Sequence, residues 1–251
     1  MKIAVAIKQV PARDSVLRVA GKWIDDADLQ FEINEPDAYA LEAALQLKEL
    51  HGGEVIVVSV GPARVATALR EALAKGADRG VHLLADGTES LDVLGIATLL
   101  RQALAQEQPD LILTGLQSDD LGSGQTGVVL AELLGAPHAT IIMAVEVLDG
   151  SIRVKRELEN GWYQHLELPL PAVLTIQSGI NKLRYATLMG IKKAKTKEIV
   201  TLTGITAPAA LVKCSSVYLP NRFKQTQILE GDAESAARQL AEKLKFEVRA
   251  I

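Results

Sequence analysis

Short β-rich runs alternate with helix-length apolar patterns through the first half of this 251-residue chain, and few folds accept that order. Ile3-Ala-Val-Ala-Ile7 reads as a buried strand, and residues 16–33 hold turn residues with short extended pieces. Asn34-Glu-Pro-Asp37 then introduces a helix over residues 38–50, in which Leu41, Ala44, Leu45 and Leu47 recur at helical spacing. Asn34 suits the cap, and Pro36 sits in the first turn, where a missing N–H costs little. A second strand is expected over 54–60, a helix from Gly61-Pro62 to Lys75 that ends at Gly76-Ala-Asp78, and a third strand over 80–84. A helix over 90–106, a strand over 110–114 and a helix over 123–134 complete the pattern. This order predicts an α/β protein with a mostly parallel sheet and helices on both faces. Ligands of such sheets bind beyond the carboxyl ends of the strands, which here means the loops after Ile7, Val58 and Leu113.

From about Thr140 the pattern changes. Residues 141–147, 151–157 and 164–168 are strand-like and separated by Asp149-Gly150 and Asn160-Gly161, which mark hairpin turns. Another strand-like run, Pro171-Ala-Val-Leu-Thr-Ile-Gln177, follows. Beyond Lys197 the chain is poor in regular pattern until residues 232–246, where Asp232 can cap a helix lined by Ala236, Leu240 and Leu244. We therefore divide the chain into an α/β domain with a β-hairpin extension, 1–200, and a C-terminal arm ending in a helix, 201–251.

Composition excludes several classes. A net charge of −4 gives no overall positive field for nucleic acid, and the longest apolar runs, such as Val55-Ile-Val-Val58, are too short for membrane insertion. Met1-Lys-Ile-Ala-Val-Ala-Ile-Lys8 reads as a first strand rather than a leader. Cys214 is the single cysteine, which rules out an internal disulfide and points to a reducing, cytoplasmic setting. Four scattered histidines and one cysteine give no zinc-ligand pattern, and no metal site is expected.

The most specific candidate site is the run from Gly115 to Gly127, directly after a strand and opening a helix. Its residues are Leu116, Gln117, Ser118, Asp119, Asp120, Leu121, Gly122, Ser123, Gly124, Gln125 and Thr126, with a glycine at either end. Glycines let backbone N–H groups approach a phosphate, Ser123, Gln125 and Thr126 add neutral donors, and a helix N-terminus favours an anion. The run matches neither a Walker loop nor the dinucleotide fingerprint, so a phosphate cradle and a plain capped loop both fit it. Asp119 and Asp120 read as loop polarity, since adjacent side chains diverge and no partner His or Lys is evident. Ser59-Val-Gly61 lacks the glycine that a nucleophile elbow needs before its serine. His51, His82, His138 and His165 are isolated, Trp23 and Trp162 suit hydrophobic edges, and nothing near Cys214 would activate its thiol. No nucleophile, acid–base pair or catalytic residue emerges, which favours a binding or carrier protein over a hydrolase or transferase.

A second segment has a different chemistry. In Arg184-Tyr-Ala-Thr-Leu-Met-Gly-Ile-Lys-Lys-Ala-Lys-Thr-Lys197 an apolar pair, Leu188 and Met189, precedes four lysines within six residues. An apolar anchor beside a cationic rim suits a surface that docks onto an acidic protein.

Several stretches together resemble the β subunit of electron transfer flavoproteins over nearly the whole chain. They are residues 2–8, Val58-Ser-Val-Gly-Pro62, Ala74-Lys-Gly-Ala-Asp-Arg79 and Gly115 to Gly127. The most specific continue from Val154-Lys-Arg-Glu-Leu-Glu-Asn-Gly161 through Leu168-Pro-Leu-Pro-Ala-Val173 to Arg184-Tyr-Ala-Thr-Leu188. The resemblance implies a Rossmann-like fold of the adenine nucleotide hydrolase-like type. It also implies a heterodimer with an electron transfer flavoprotein α subunit that holds most of one redox-active FAD. The β subunit buries a structural AMP, covers part of the flavin and catalyses nothing itself. Electrons would arrive from acyl-CoA or other flavin dehydrogenases and leave to a membrane quinone oxidoreductase. The AMP positions fall on Ala6, Asn34, Glu35, Pro36, Asp37, Val60 and Leu116 through Gly127. The docking positions are Arg184, Tyr185, Leu188, Met189, Ile191, Lys192 and Lys193, with Lys195 and Lys197 as further steering charge. The chain departs from many relatives at Gly124, where they carry Asn, and at Met189-Gly190, where they carry Pro-Asn. One branch of the family binds a second FAD in place of AMP, but residues 80–90 do not read as that branch's acidic, alanine-rich motif. A stand-alone adenine-nucleotide sensor on the same scaffold is the alternative from another class. An ATP-using enzyme of the nucleotide-hydrolase fold is disfavoured by the missing ATP-loop glycines.

Overall fold

Alternating burial along the central strands sets the architecture, because each strand feeds two separate apolar cores. Strand β1 (Lys2–Ala6) contributes Ile3 and Val5 to one core and Ala4 and Ala6 to the other. The structure, a computed structural model, describes residues 1–21, 23–221 and 226–249, so parts of the C-terminal arm (222–225, 250 and 251) lie outside the described residues. After β1 come four short strands, β2 (Gln9–Pro11), β3 (Arg18–Ala20), β4 (Trp23–Asp25) and β5 (Phe31–Ile33), which pair antiparallel as β2 with β5 and β3 with β4. Helix α1 (Glu35–His51) follows, with Glu35 in its first turn and Lys48 in its last, each sign matching the helix dipole. Then come β6 (Glu54–Gly61), α2 (Ala66–Lys75), β7 (Arg79–Leu84), α3 (Val93–Leu104), β8 (Leu111–Gly115) and α4 (Thr126–Leu134). The second half supplies β9 (His138–Val147), β10 (Ser151–Glu157), β11 (Tyr163–Pro169), β12 (Ala172–Ile176), α5 (Leu188–Ala194) and β13 (Ile199–Leu202).

Nine of these strands form one sheet in the order β11-β10-β9-β12-β8-β1-β6-β7-β13 among the described residues. Eight share one direction, and β10 alone runs against them, pairing antiparallel with β9 and with the edge strand β11 as the hairpin extension. The fold is thus the mostly parallel, Rossmann-like α/β sheet that the alternating pattern predicts. Helices α1 and α2 cover one face with Leu41, Leu45, Leu69 and Leu73, while α3 and α4 cover the other with Leu99, Leu100, Leu104 and Leu130. Each such leucine, fully buried, contributes roughly 1.5–3 kcal/mol relative to exposure. The chain leaves β1 toward β6 on one side and returns to β8 on the other, so the direction of winding reverses at β1. The crevice at the carboxyl ends of β1 and β8 is where a doubly wound sheet takes its ligands.

The opposite end of the sheet is closed by charge. Arg79 donates to Glu54 at 2.7 Å and to both carboxylate oxygens of Glu107, and its guanidinium is raised further above its ordinary range mainly by the bond to Glu107. Asp78 accepts from the Val55 amide at 2.8 Å and from Lys48 Nζ at 2.6 Å. The Gly-Ala-Asp-Arg run is therefore a structural clamp between α1, β6 and β7.

Residues 1–217 form one compact unit and residues 218–251 a second. The segment after residue 200 supplies part of the edge strand β13 and stays with the first unit up to Val217, a later division than composition suggests. In the second unit, α6 (Ala233–Lys243) starts at Asp232, whose carboxylate accepts from the Ser235 amide at 2.8 Å, and a π-helical turn over Leu244–Val248 ends it.

Candidate functional site

Three strand ends meet beside the start of α1. Ile7 donates its amide to Val58 O at 2.9 Å, and Ser59 Oγ donates to Ile7 O at 2.7 Å, which locks the end of β1 to β6 next to Ala6 and Val60. Asp37, in the first turn of α1, joins the other side. Its Oδ2 accepts from the Lys8 amide at 2.7 Å and its Oδ1 from the Gly115 amide at 2.8 Å. This buried carboxylate is the hub that the sequence does not announce, because its partners are backbone groups far away along the chain. Burial pushes its pKa up to about 7, against the opposing pull of the bonds from Lys8 and Gly115.

Gly115 is required by that contact. A Cβ there would lie 2.5 Å from Asp37 Oδ1, so any side chain would drive α1 away from β8. Gly127 has the same role one loop later, where a Cβ would meet Thr175 Cγ2 at 2.6 Å and Thr114 Oγ1 at 2.7 Å. Between them Gly122 (φ 62°) and Gly124 (φ 63°) take left-handed conformations that suit glycine.

Asn34 occupies the cap position of α1, yet its side chain makes no cap hydrogen bond. It reaches across instead, donating from Nδ2 to Gln117 O at 3.0 Å and accepting at Oδ1 from the Asp119 amide at 2.9 Å. The Asp119 carboxylate accepts from the Glu35 amide at 3.3 Å, so it serves an N-terminal amide of α1 from across the crevice. Asp120 pairs with Lys8 Nζ at 2.6 Å. Burial alone would raise Asp120, but the charge and hydrogen bond of Lys8, with bonds from Ser118 and Leu121, outweigh it and hold the carboxyl below its usual range. The two adjacent aspartates are thus occupied separately within the chain. The loop from Leu116 to Gln125 leaves Gln117, Leu121, Gly122, Ser123 and Gln125 exposed, while Thr126 is half-buried and Gly127 buried. Helix α4 starts at Thr126 with no side chain capping it. Hydrogen bonds thus tie the ends of β1, β6 and β8 to residues 34–37 and to the loop at Gln117 and Asp119. Among the described residues no group of three or more His, Cys, Asp or Glu side chains could hold a metal ion.

The second candidate segment contains a short helix, α5, over Leu188–Ala194. Thr187 accepts from the Gly190 amide at 3.0 Å and starts α5. Tyr185 and Leu188 are 93% and 88% exposed, and Met189, Ile191, Lys192 and Lys193 also face solvent. Gly190 packs against the carbonyl of Ala74 at the end of α2, where a Cβ would collide with that oxygen. Arg70 donates to Ala194 O at 2.7 Å and Lys197 O at 2.5 Å, and Lys197 Nζ donates to Leu73 O at 3.1 Å and to Ala77 O. Lys197 is therefore turned inward onto the carboxyl end of α2, and burial lowers its pKa. Of the four lysines, Lys192, Lys193 and Lys195 remain as exposed charge. Arg184 is also turned inward, onto Glu42 and Glu49 of α1.

These features define a doubly wound α/β protein with a glycine-rich crevice at its switch point and an exposed apolar helix beside α2. Residues 22–206 match the family model described as the electron transfer flavoprotein domain. The chain is 38% identical to the electron transfer flavoprotein subunit beta of Methylophilus methylotrophus, covering 95% of this chain and 96% of that protein. It is 35% identical to the corresponding subunit of Syntrophomonas wolfei (99% and 98% covered) and 33% identical to that of Bacillus subtilis (100% of both). The chain belongs to the electron transfer flavoprotein family, and these relatives are its β subunits.

Proposed function

We propose that this chain is the β subunit of a heterodimeric electron transfer flavoprotein. In this reading it holds one structural AMP at the carboxyl ends of β1, β6 and β8. It helps to enclose an FAD carried mainly by the α subunit, and it offers α5 to flavin dehydrogenases such as acyl-CoA dehydrogenases. Electrons then pass from the FAD to a membrane quinone oxidoreductase. The C-terminal unit packs on the α subunit, which suits a helix whose Leu240 and following Phe246 and Val248 are all exposed.

The observation that carries the nucleotide assignment is the convergence of three strand ends with the uncapped start of α4 across a loop held open by glycine. The residues fit AMP. Amides of the first turn of α4 and the Ser123 and Thr126 hydroxyls would hold the phosphate, while Ala6, Val60 and residues 34–37 would border the adenosine. FAD, when bound, supplies the redox chemistry; this chain contributes binding, shielding and a docking surface. Asp119 and Asp120 hold the loop rather than act on a substrate, in keeping with a carrier role.

Nucleotide content tests the assignment. The complex with the α subunit, denatured and chromatographed, should release one AMP and one FAD per heterodimer. Two FAD and no AMP would replace AMP by a second flavin and move the protein to the bifurcating branch.

A further inference from the structure

We propose that Arg184 is a positioning residue that pre-organises the docking helix rather than a contact for the partner, an inference that rests on the docking role of α5. The guanidinium is nearly saturated within the chain. Its Nε and Nη2 donate to Glu42 at 2.7 and 3.0 Å, and its Nη1 and Nη2 donate to Glu49 at 2.6 and 3.2 Å. An arginine has five N–H groups, so little remains for an incoming protein. Glu42 is buried and also accepts from Gln46 at 2.9 Å, which fixes one half of the fork to α1. Bidentate pairing of this kind orients as well as attracts.

The need for such a fork follows from the size of α5. Seven residues cannot sustain a helix in water, because nucleation is unfavourable and few hydrogen bonds follow it. The helix is instead pinned at both ends. Arg184 fixes the chain three residues before the Thr187 cap, and Arg70 with Lys197 fixes the carboxyl end onto α2. Asn181 adds a bond from Nδ2 to Tyr39 O at 3.1 Å, so the whole approach to the helix lies along α1. Between the pins Leu188 and Met189 project into solvent on a backbone already in place. Ordering that backbone in advance removes an entropy penalty from association, which raises affinity without adding a contact.

Lys in place of Arg184 would keep the charge but could not span both carboxylates. The reading therefore predicts that R184K only partly restores what R184A loses.

The test is a double-mutant cycle on the heterodimer, with an acyl-CoA dehydrogenase that reduces the parent complex as donor. L188A should raise KM for the complex by roughly tenfold, the loss expected of a truncated anchor, with kcat little changed. R184A should raise KM in the same direction, R184K by less, and R184A/L188A should be no worse than L188A. Additive effects would make Arg184 a direct contact and overturn the proposal. So would a parental KM in R184A alongside a raised KM in L188A. A parental KM in L188A would overturn the docking reading itself, and the positioning role with it. If R184A does not assemble, E49Q releases half of the fork from its exposed side and is read by the same criteria.

Discussion

Asp37 shows how much one residue can organise when its partners are backbone amides. It joins α1 to the ends of β1 and β8, and burial lifts its pKa to about 7. A carboxyl raised in the folded state stabilises most when protonated. Its contribution is complete below about pH 4, the ordinary aspartate value, and is lost as pH rises through about 7. Urea unfolding of the parent and of D37N should therefore diverge with pH: the parent loses stability relative to D37N between pH 4 and 7. A constant difference across that range would contradict the assignment. From the residues alone, Asp37 read as part of the run that introduces α1 and Asn34 as its cap, and the family resemblance added both only as positions beside AMP. Both residue types suit helix starts, and nothing local distinguishes a side chain that caps from one that reaches a loop more than eighty residues away. Lys197 was equally opaque, since a lysine that bonds helix-end carbonyls carries the same local signature as a solvated one.

At the scale of elements, the central strands were legible because uninterrupted apolar runs such as Ile3–Ile7 and Val55–Val58 have few other fates in an α/β pattern. The short elements were not. Helix α5 has only seven residues and no buried face beyond Ala194, so no apolar period marks it, although Thr187 three residues before Gly190 is compatible with a cap. Strand β13 spans four residues at the sheet edge and follows a lysine-rich turn, where pairing with β7 rather than local pattern makes it a strand. The seat of α5 against α2 depends on Gly190. In G190A the added methyl would meet the Ala74 carbonyl, and overpacking of this kind costs about 1–3 kcal/mol when the backbone must move. Amide hydrogen exchange over residues 188–194 should accelerate in G190A while exchange in α1 and α4 stays as in the parent. Unchanged protection of that segment would show that α5 is not seated on α2 as described.

Across the whole molecule the two candidate sites share one support. Residues 34–37 at the start of α1 hold the glycine-rich loop, and Glu42 and Glu49 further along the same helix hold the approach to α5. In the proposed reading, retention of a nucleotide and presentation of a docking surface are separate tasks, both supported by a single 17-residue helix. Family membership and the α/β sheet were readable from sequence, because glycines at close approaches and the Arg-Tyr-Ala-Thr-Leu run are tied to backbone geometry. The division of labour was not, because it lies in contacts between residues distant along the chain. The central claim, a carrier subunit that works only with a partner, is tested most directly by co-expression with an electron transfer flavoprotein α subunit from the same organism, followed by native mass and visible absorbance of the purified product. The account predicts a flavin-yellow 1:1 heterodimer. A colourless, stable monomer that responds to free adenine nucleotide would contradict it.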